Sequence, residues 1–266
     1  MGRNSRHERI RRNPLTIARQ AVTTSATLSG IQMMQAATRS TERCESELGN
    51  KLSPHPARYS VGMIALTASV LETTASVLDP MAGAGGIFEL QQHGHTGTIT
   101  ASDIEPPTTW ANGDNRVEVA DARALSHANH SFSAVVTSPP YGNRMADKLL
   151  LDGTRRHTYA NAAGRVLADG SAAAMQWSDN YRSTMSRIYS EIARVVVPGG
   201  LVVVWVKDHI RAGERQAVTA WTMNQLQQHG ELVDLLAVGV PSMKHGANSE
   251  LRLTAEIGLV LKTNAN

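Results

Sequence analysis

Short apolar runs alternate with longer amphipathic stretches from about residue 60 to the end of the chain. The apolar runs are rich in β-branched residues and several are almost continuously apolar, which predicts strands covered on both faces. These predicted strands are 76–80, 97–104, 116–121, 132–138, 201–208, 232–240 and 254–262. Helical periodicity between them predicts helices at 61–73, 87–93, 181–196 and 215–229, the last two followed by glycines that are expected stop signals.

This alternation predicts an open, mostly parallel α/β sheet. Only a turn-like stretch, residues 241–250, separates the last two predicted strands, so these two strands are expected to pair antiparallel as a hairpin. In such a sheet, ligands bind beyond the carboxyl ends of the strands. The strand ends are therefore where functional residues are expected.

The composition indicates one large globular domain after an N-terminal arm. The chain has 266 residues, 41% hydrophobic and 18% charged, which is enough for one substantial core over residues 51–266. Its single cysteine, Cys44, excludes an internal disulfide framework, favours a reducing compartment and implies no metal site. No window has the apolar length of a membrane span, so we expect a soluble, cytoplasmic protein without a membrane partner.

The arm, residues 1–50, has a basic start. Its first twenty residues contain six arginines and one glutamate, and the chain has a net charge of +3. Three interpretations stay open: a phosphate-binding arm that is partly disordered until it meets nucleic acid, an organellar transit peptide, or a solvated tail. One helix is plausible within it, at 28–38.

The first three predicted strands end in residues that suit a nucleoside. Residues 79–86, DPMAGAGG, form a glycine-rich turn that permits close backbone approach before a helix N-terminus. Asp103 follows the second strand, where a carboxylate can hold a ribose diol. Asp121 follows the third and suits the exocyclic amine of a purine. Each feature alone also fits a ligand-free turn or a solvated strand end, but together they predict a nucleoside pocket.

The fourth strand ends in TSPPYG, residues 137–142. Consecutive prolines remove amide donors and stiffen the turn, so the Ser138 hydroxyl and the Pro139 carbonyl can both face outward as acceptors. Tyr141 adds a planar face beside them. Two acceptors and an aromatic platform suit a planar ring that carries an amino group, although a rigid turn with a buried tyrosine would have the same sequence.

These motifs resemble the S-adenosylmethionine-dependent amino-methyltransferases of DNA, which methylate N4 of cytosine or N6 of adenine. The resemblance covers about residues 52–262. Residues 55–58, HPAR, are similar to the family's additional cofactor motif, and 197–200, VPGG, to the turn before its fifth strand. The two central motifs of the resemblance are Asp79-Pro80 with Gly83 and Gly85, followed by Ser138-Pro139-Pro140-Tyr141.

The resemblance implies a seven-stranded Rossmann-like sheet of the class I methyltransferase type, with an antiparallel last strand. It implies S-adenosylmethionine as the cofactor and direct methyl transfer to an amine held by Ser138 and the Pro139 carbonyl. In duplex DNA the target base would be flipped out of the stack. The catalytic residues carried over are Ser138, Pro139, Pro140 and Tyr141, and the cofactor-binding residues are His55, Pro56, Asp79, Pro80, Met81, Gly83, Gly85, Asp103 and Asp121.

Two positions qualify the resemblance. Met81 stands where the family usually has an aromatic residue. Ser138 favours N4 of cytosine, because adenine enzymes more often carry Asp or Asn there. N6 of adenine, a base in RNA, and a catalytically inactive nucleic-acid-binding partner subunit remain the alternatives. The expected setting is DNA modification of the restriction-modification type in a microbe or phage, near the nucleoid, by a monomer or weak dimer.

Residues 143–180 form a long interruption after the fourth strand, and loops of this length are usually functional or disordered. Basic residues interleaved with aromatics favour an inserted target-recognition element, with a lid over the cofactor as the alternative. Lys207, after the fifth strand, either lies near the base or forms an ordinary surface ion pair with Asp208. The predicted nucleic-acid contacts are Arg144, Lys148, Arg155, Arg156 and Lys207; the loop 242–248 could also reach DNA.

Overall fold

The computed structural model describes residues 55–110, 113–148, 158–240, 251 and 253–265. The N-terminal arm with its expected helix, Cys44 and the loop 241–250 lie outside these ranges. Within them no helix combines the length and apolar character needed to cross a membrane. The helices are α1 (Val61–Val70), α2 (Tyr159–Ala163), α3 (Asp179–Val195) and α4 (Val218–Leu226). The strands are β1 (Val77–Asp79), β2 (Ile99–Asp103), β3 (Val117–Val119), β4 (Phe132–Thr137), β5 (Val196–Val206), β6 (His209–Arg211), β7 (Glu214–Gln216), β8 (Gly230–Gly239) and β9 (Ala255–Thr263).

The main sheet has seven strands in the order β3-β2-β1-β4-β5-β9-β8. The pairs from β3 to β5 are parallel, whereas β9 lies antiparallel between β5 and β8. The predicted α/β sheet and the antiparallel pairing of its last two strands are therefore confirmed. The order reverses next to β1, so β1 and β4 form the switch point where ligands of open sheets bind.

Helices cover both faces of this sheet, and the side chains of β5 pack alternately on the two faces. Val202 and Val204 pack in the core on the side of α3, whereas Val203 and Trp205 pack on the side of α1. This alternation follows the two-residue period of a strand. A continuously apolar run is therefore required, as the sequence predicts.

Three local predictions differ from the structure. The helix predicted to start at residue 215 begins at Val218, because Glu214–Gln216 pairs with His209–Arg211 in a separate hairpin closed by left-handed residues 212 and 213. The expected helix 87–93 is a 3-10 helix, Gly86–His93. β5 starts before the predicted turn at 197–200, with a register shift against β4 between Phe132 and Ala134.

Candidate functional site

The carboxyl ends of the central strands open into one cleft of about 640 Å³. Its walls combine the glycine-rich turn after β1, the ends of β2 and β3, the proline turn after β4 and the end of β5. The predicted site residues that line it are His55, Pro56, Pro80, Met81, Gly83, Asp103, Asp121, Ser138, Pro139, Pro140, Tyr141 and Lys207. Residues that are far apart in sequence thus form one continuous cavity.

Several other predicted residues lie elsewhere. Asp79 and Gly85 are behind the cleft wall, not in it. Lys148 is exposed and does not line the cleft, and Arg144 starts a short 3-10 helix, Arg144–Ala146. The predicted contacts Arg155 and Arg156 lie outside the described residues.

The glycine-rich turn needs glycine at two positions. Gly83 and Gly85 have φ angles of 53° and 88°, which disfavour other residues. A Cβ atom at Gly83 would lie 2.6 Å from His55 Nε2, and one at Gly85 would lie 2.8 Å from Asp114 Cβ. The Gly83 backbone therefore forms a close-fitting surface on the cleft.

Asp103 ties this turn to β2. Its Oδ2 accepts a hydrogen bond from the Gly83 amide at 2.8 Å, and its Oδ1 accepts one from the Glu105 amide at 2.8 Å. Burial raises the pKa of Asp103 from 3.8 to about 6, and these hydrogen bonds only partly oppose the rise. A carboxylate with acceptor capacity left for a ligand thus stands at the strand end, as predicted.

Asp79 lies beneath the glycine-rich turn and holds it by a hydrogen bond. It is fully buried, its Oδ2 accepts from the Tyr59 hydroxyl at 2.8 Å, and its Oδ1 accepts from the Met81 amide at 3.1 Å. Burial raises the pKa of Asp79 from 3.8 to about 7. The sequence gives no local signal for Tyr59, which is a distant partner that fixes the turn through Asp79.

Asp121 lines the cleft but already has a strong partner. Arg123 Nε lies 2.9 Å from Asp121 Oδ1 and Arg123 Nη2 lies 2.7 Å from Oδ2, while the Arg123 amide also donates to Oδ1. These hydrogen bonds hold the pKa of Asp121 below its usual value. The carboxylate is therefore pre-oriented by Arg123, and its expected contact with a purine amine stays a prediction.

Aromatic rings lie on the side of the cleft next to the glycine-rich turn. The His55 ring meets the Trp110 ring edge-on with centroids 4.4 Å apart, and the Tyr159 ring follows at 6.1 Å. Burial lowers the pKa of His55 to about 4, so its imidazole is neutral at physiological pH. Trp110 and Tyr159 were not among the predicted site residues, because they come together only in the folded chain.

The second described stretch of the insert, residues 158–180, contributes Tyr159 and residues 170–173 to this side of the cleft. Glu105 is buried and its carboxylate accepts from Arg165 Nη2 at 2.5 Å and from the Ala168 amide at 2.6 Å. Tyr159 and Leu167 pack with Trp110 in a small separate core. We call residues 158–174 the lid; a role in target recognition stays a prediction.

Replacing Arg165 with methionine is expected to loosen the lid. The change leaves the buried Glu105 carboxylate bonded to the Ala168 amide but without its charged partner, which costs roughly 1–3 kcal/mol in the free energy of unfolding. Arg182→Met is the control, because Arg182 pairs with the exposed Asp179, and such pairs contribute about 0–1 kcal/mol. Urea unfolding and limited proteolysis measure both effects. If lid residues 158–174 resist protease equally in the two variants, the ion pair between Glu105 and Arg165 does not hold the lid in place.

The proline turn is held from behind. The Pro140 carbonyl accepts from the Tyr181 hydroxyl at 2.5 Å, and the Gly142 carbonyl accepts from the Trp177 amide at 2.7 Å. The hydroxyl oxygens of Ser138 and Tyr141 lie 3.2 Å apart, within hydrogen-bonding distance. These contacts fix the turn, so the acceptor and the aromatic face predicted from TSPPYG are pre-positioned at the cleft.

Asp208, which follows β5, is not part of an ordinary surface ion pair. Asp208 is buried, and its carboxylate accepts from Arg215 Nε at 2.7 Å and from the Thr219 amide at 2.7 Å. It therefore anchors the start of α4, and the surface-pair interpretation of Asp208 is wrong. Lys207 lines the cleft beside it.

No protein-family model and no curated protein matches the chain. Solved structures with similar folds include a SAM-dependent methyltransferase from Methanosarcina mazei, at 12% identity and a TM-score of 0.47, covering 79% of this chain and 100% of that one. A 1,6-didemethyltoxoflavin N1-methyltransferase from Burkholderia thailandensis, solved with S-adenosylhomocysteine, has 16% identity, coverages of 77% and 80%, and a TM-score of 0.42.

A protein from Thermus thermophilus assigned as a DNA modification methylase is a weaker match. It has 20% identity, a TM-score of 0.35, and coverages of 55% of this chain and 52% of that one. These similarities concern the fold.

Proposed function

We propose that the protein transfers a methyl group from S-adenosylmethionine to the exocyclic amine of a base in DNA, with N4 of cytosine favoured. The observation that carries the proposal is one cleft in which a glycine-rich turn with Asp103 adjoins the turn Ser138–Tyr141. The first half suits a nucleoside and the second suits an amino-bearing ring. A methyl donor and a methyl acceptor can therefore meet between them.

The nucleoside half fits S-adenosylmethionine. Gly83 gives a surface without a side chain, Asp103 gives acceptors for a ribose diol, and Trp110 gives an apolar wall. Bound there, S-adenosylmethionine would supply the methyl group attached to its positively charged sulfur. The sulfur would then leave as a neutral thioether. The lid and the His55 ring would limit the access of water to this half.

Binding of S-adenosylmethionine is expected to weaken in acid. Asp103 holds a ribose best as a carboxylate, and its folded-state pKa is about 6. As pH falls through this value the group is protonated, so the Kd should rise, approaching about tenfold per pH unit. Calorimetric titrations between pH 7.5 and 5 measure the slope. Asp103→Asn should bind weakly and with a shallower slope, because only Asp79 beneath the turn, whose pKa is about 7, still titrates in this range; the same slope in both proteins would contradict the role of Asp103.

The target half can activate an amine without a strong base. The lone pair of a base amine is delocalised into the ring, which makes the nitrogen a poor nucleophile. Ser138 Oγ and the Pro139 carbonyl can accept its two hydrogens and favour a pyramidal nitrogen. As the nitrogen–carbon bond forms, the carbon–sulfur bond breaks and the amine nitrogen becomes positively charged. This cation is acidic and releases one proton to water. Positioning then supplies most of the acceleration, on the order of 7–11 kcal/mol.

Transfer of tritiated methyl tests the substrate class. The protein is incubated with tritiated S-adenosylmethionine and, separately, unmethylated duplex DNA, single-stranded DNA and bulk RNA. Label in DNA is expected, and label in RNA alone would move the substrate to RNA. S-adenosylmethionine binding without label in any polymer would contradict catalysis and favour a nucleic-acid-binding partner subunit.

A further inference from the structure

The ends of two neighbouring strands place a lysine and a glutamate near the proline turn. In the parallel pair of β4 and β5, the last partners are Thr137 and Val204, so the turn Ser138–Tyr141 and Lys207 both follow the paired ends of these strands. In the antiparallel pair of β5 and β9, Val206 faces Ile257, so the next positions are Lys207 and Glu256. Neighbouring strands lie about 4.8 Å apart, so Lys207 and Glu256 are close to each other at the edge of the cleft.

Lys207 and Glu256 both face the cleft, because both line it. The carboxylate of Glu256 is also close enough to Tyr141 to act on it: burial first, and then the charge of Glu256, raise the pKa of the Tyr141 hydroxyl well above its usual value. Opposite charges directly across two strands attract. Glu256 is thus placed to orient the Lys207 ammonium beside Tyr141.

The chemistry of the target edge requires a donor at this place. Ser138 and the Pro139 carbonyl accept hydrogens from the amine, but the ring nitrogen next to that amine is itself an acceptor, N3 in cytosine and N1 in adenine. An ammonium group offers only donors. An ammonium at this point therefore complements the edge of cytosine or adenine next to the amine.

We propose that Lys207, oriented by Glu256, donates a hydrogen bond to the ring nitrogen adjacent to the methylated amine and so orients the target base. The inference rests on the proposed function. It assigns to Glu256 a positioning role for which the sequence has no motif, because Glu256 approaches the site only through the pairing of β9 with β5.

A double-mutant cycle between enzyme and substrate tests the contact. Wild type and Lys207→Met are compared on one oligonucleotide carrying either cytosine or 3-deazacytosine at the target; if the product is 6-methyladenine, the pair is adenine and 1-deazaadenine. Each single change should lower kcat/KM roughly ten- to a hundredfold, as expected for a hydrogen bond to a charged group. Lys207→Met should lose little more on the deaza substrate, because the bond is already absent. Glu256→Gln should give a smaller loss that likewise disappears on the deaza substrate, because Glu256 acts only through Lys207.

The outcomes separate the inference from the proposed function. If wild type methylates the base but the two losses multiply, Lys207 does not contact the ring nitrogen and only the inference fails. His209 also lines the cleft, so coupling found for His209→Ala in place of Lys207→Met would overturn the assignment as well. If wild type methylates no base, the proposed function fails and the inference fails with it. Unchanged S-adenosylmethionine affinity in Lys207→Met is the control for intact folding.

Discussion

Replacing Tyr141 with leucine is expected to lower kcat/KM for DNA methylation by about 10²-fold while S-adenosylmethionine still binds. Stacking of a base on an aromatic ring contributes roughly 1–3 kcal/mol, and a misplaced amine loses further rate because transfer depends on alignment. Leucine fills much of the space of the half-buried ring, which packs against the core on the side of α3, but offers no planar face. Single-turnover kinetics with the cofactor in excess isolate this loss from cofactor binding.

Tyr141→Phe is the matched variant, because it keeps the ring and removes only the hydroxyl that lies 3.2 Å from Ser138 Oγ. One neutral hydrogen bond contributes about 0.5–1.5 kcal/mol, so the loss should stay near tenfold or below. A large loss with phenylalanine and a small one with leucine would show that the hydroxyl matters and the ring face does not. That result would contradict the stacking role.

Gly83→Ala is expected to weaken S-adenosylmethionine binding by at least about 10²-fold. The residue has a φ of 53°, where an L side chain costs roughly 1–2 kcal/mol. Its Cβ would also lie 2.6 Å from His55 Nε2, and the His55 ring is itself packed against Trp110. The turn or the ring must move, and either movement changes the surface that holds the cofactor.

Gly94→Ala provides the control for backbone strain. Gly94 has a φ of 86°, but a Cβ there would meet nothing within 4 Å, and the residue does not line the cleft. Both alanine variants should lose stability in thermal unfolding through backbone strain, Gly83→Ala more because its Cβ also meets His55, whereas only Gly83→Ala should lose cofactor affinity in calorimetry. Equal Kd values for the two variants would contradict the assignment of the Gly83 turn to the cofactor.

The sheet could be predicted from sequence because each strand carries its own signal. The runs 132–138 and 201–208 are apolar on both faces, and β4 and β5 form within or around them. The parallel topology then brings the carboxyl ends of the strands to one edge of the sheet, which is why Asp103 and Ser138 line one cleft as expected. The hairpin of β6 and β7 escaped prediction because its strands are three residues each and mostly polar.

The supporting residues could not be predicted because their partners are distant in sequence. Tyr59 reaches Asp79 and Tyr181 reaches Pro140, and neither tyrosine stands in a recognisable motif. The lid is a similar case, since Arg165 contacts Glu105 only in the folded chain. Local patterns thus gave the groups expected to contact ligands, whereas the groups that orient them depend on the folded chain.

The identity of the methylated nucleoside distinguishes transfer to an amine in this cleft from other reactions. Duplex DNA that is incubated with the protein and S-adenosylmethionine is digested to nucleosides and analysed by mass spectrometry. We expect 4-methylcytosine, formed by wild type and strongly reduced in Tyr141→Leu. Finding 6-methyladenine would keep the mechanism and correct the base, whereas methylation at a ring carbon or no methylated nucleoside at all would contradict amine transfer in this cleft.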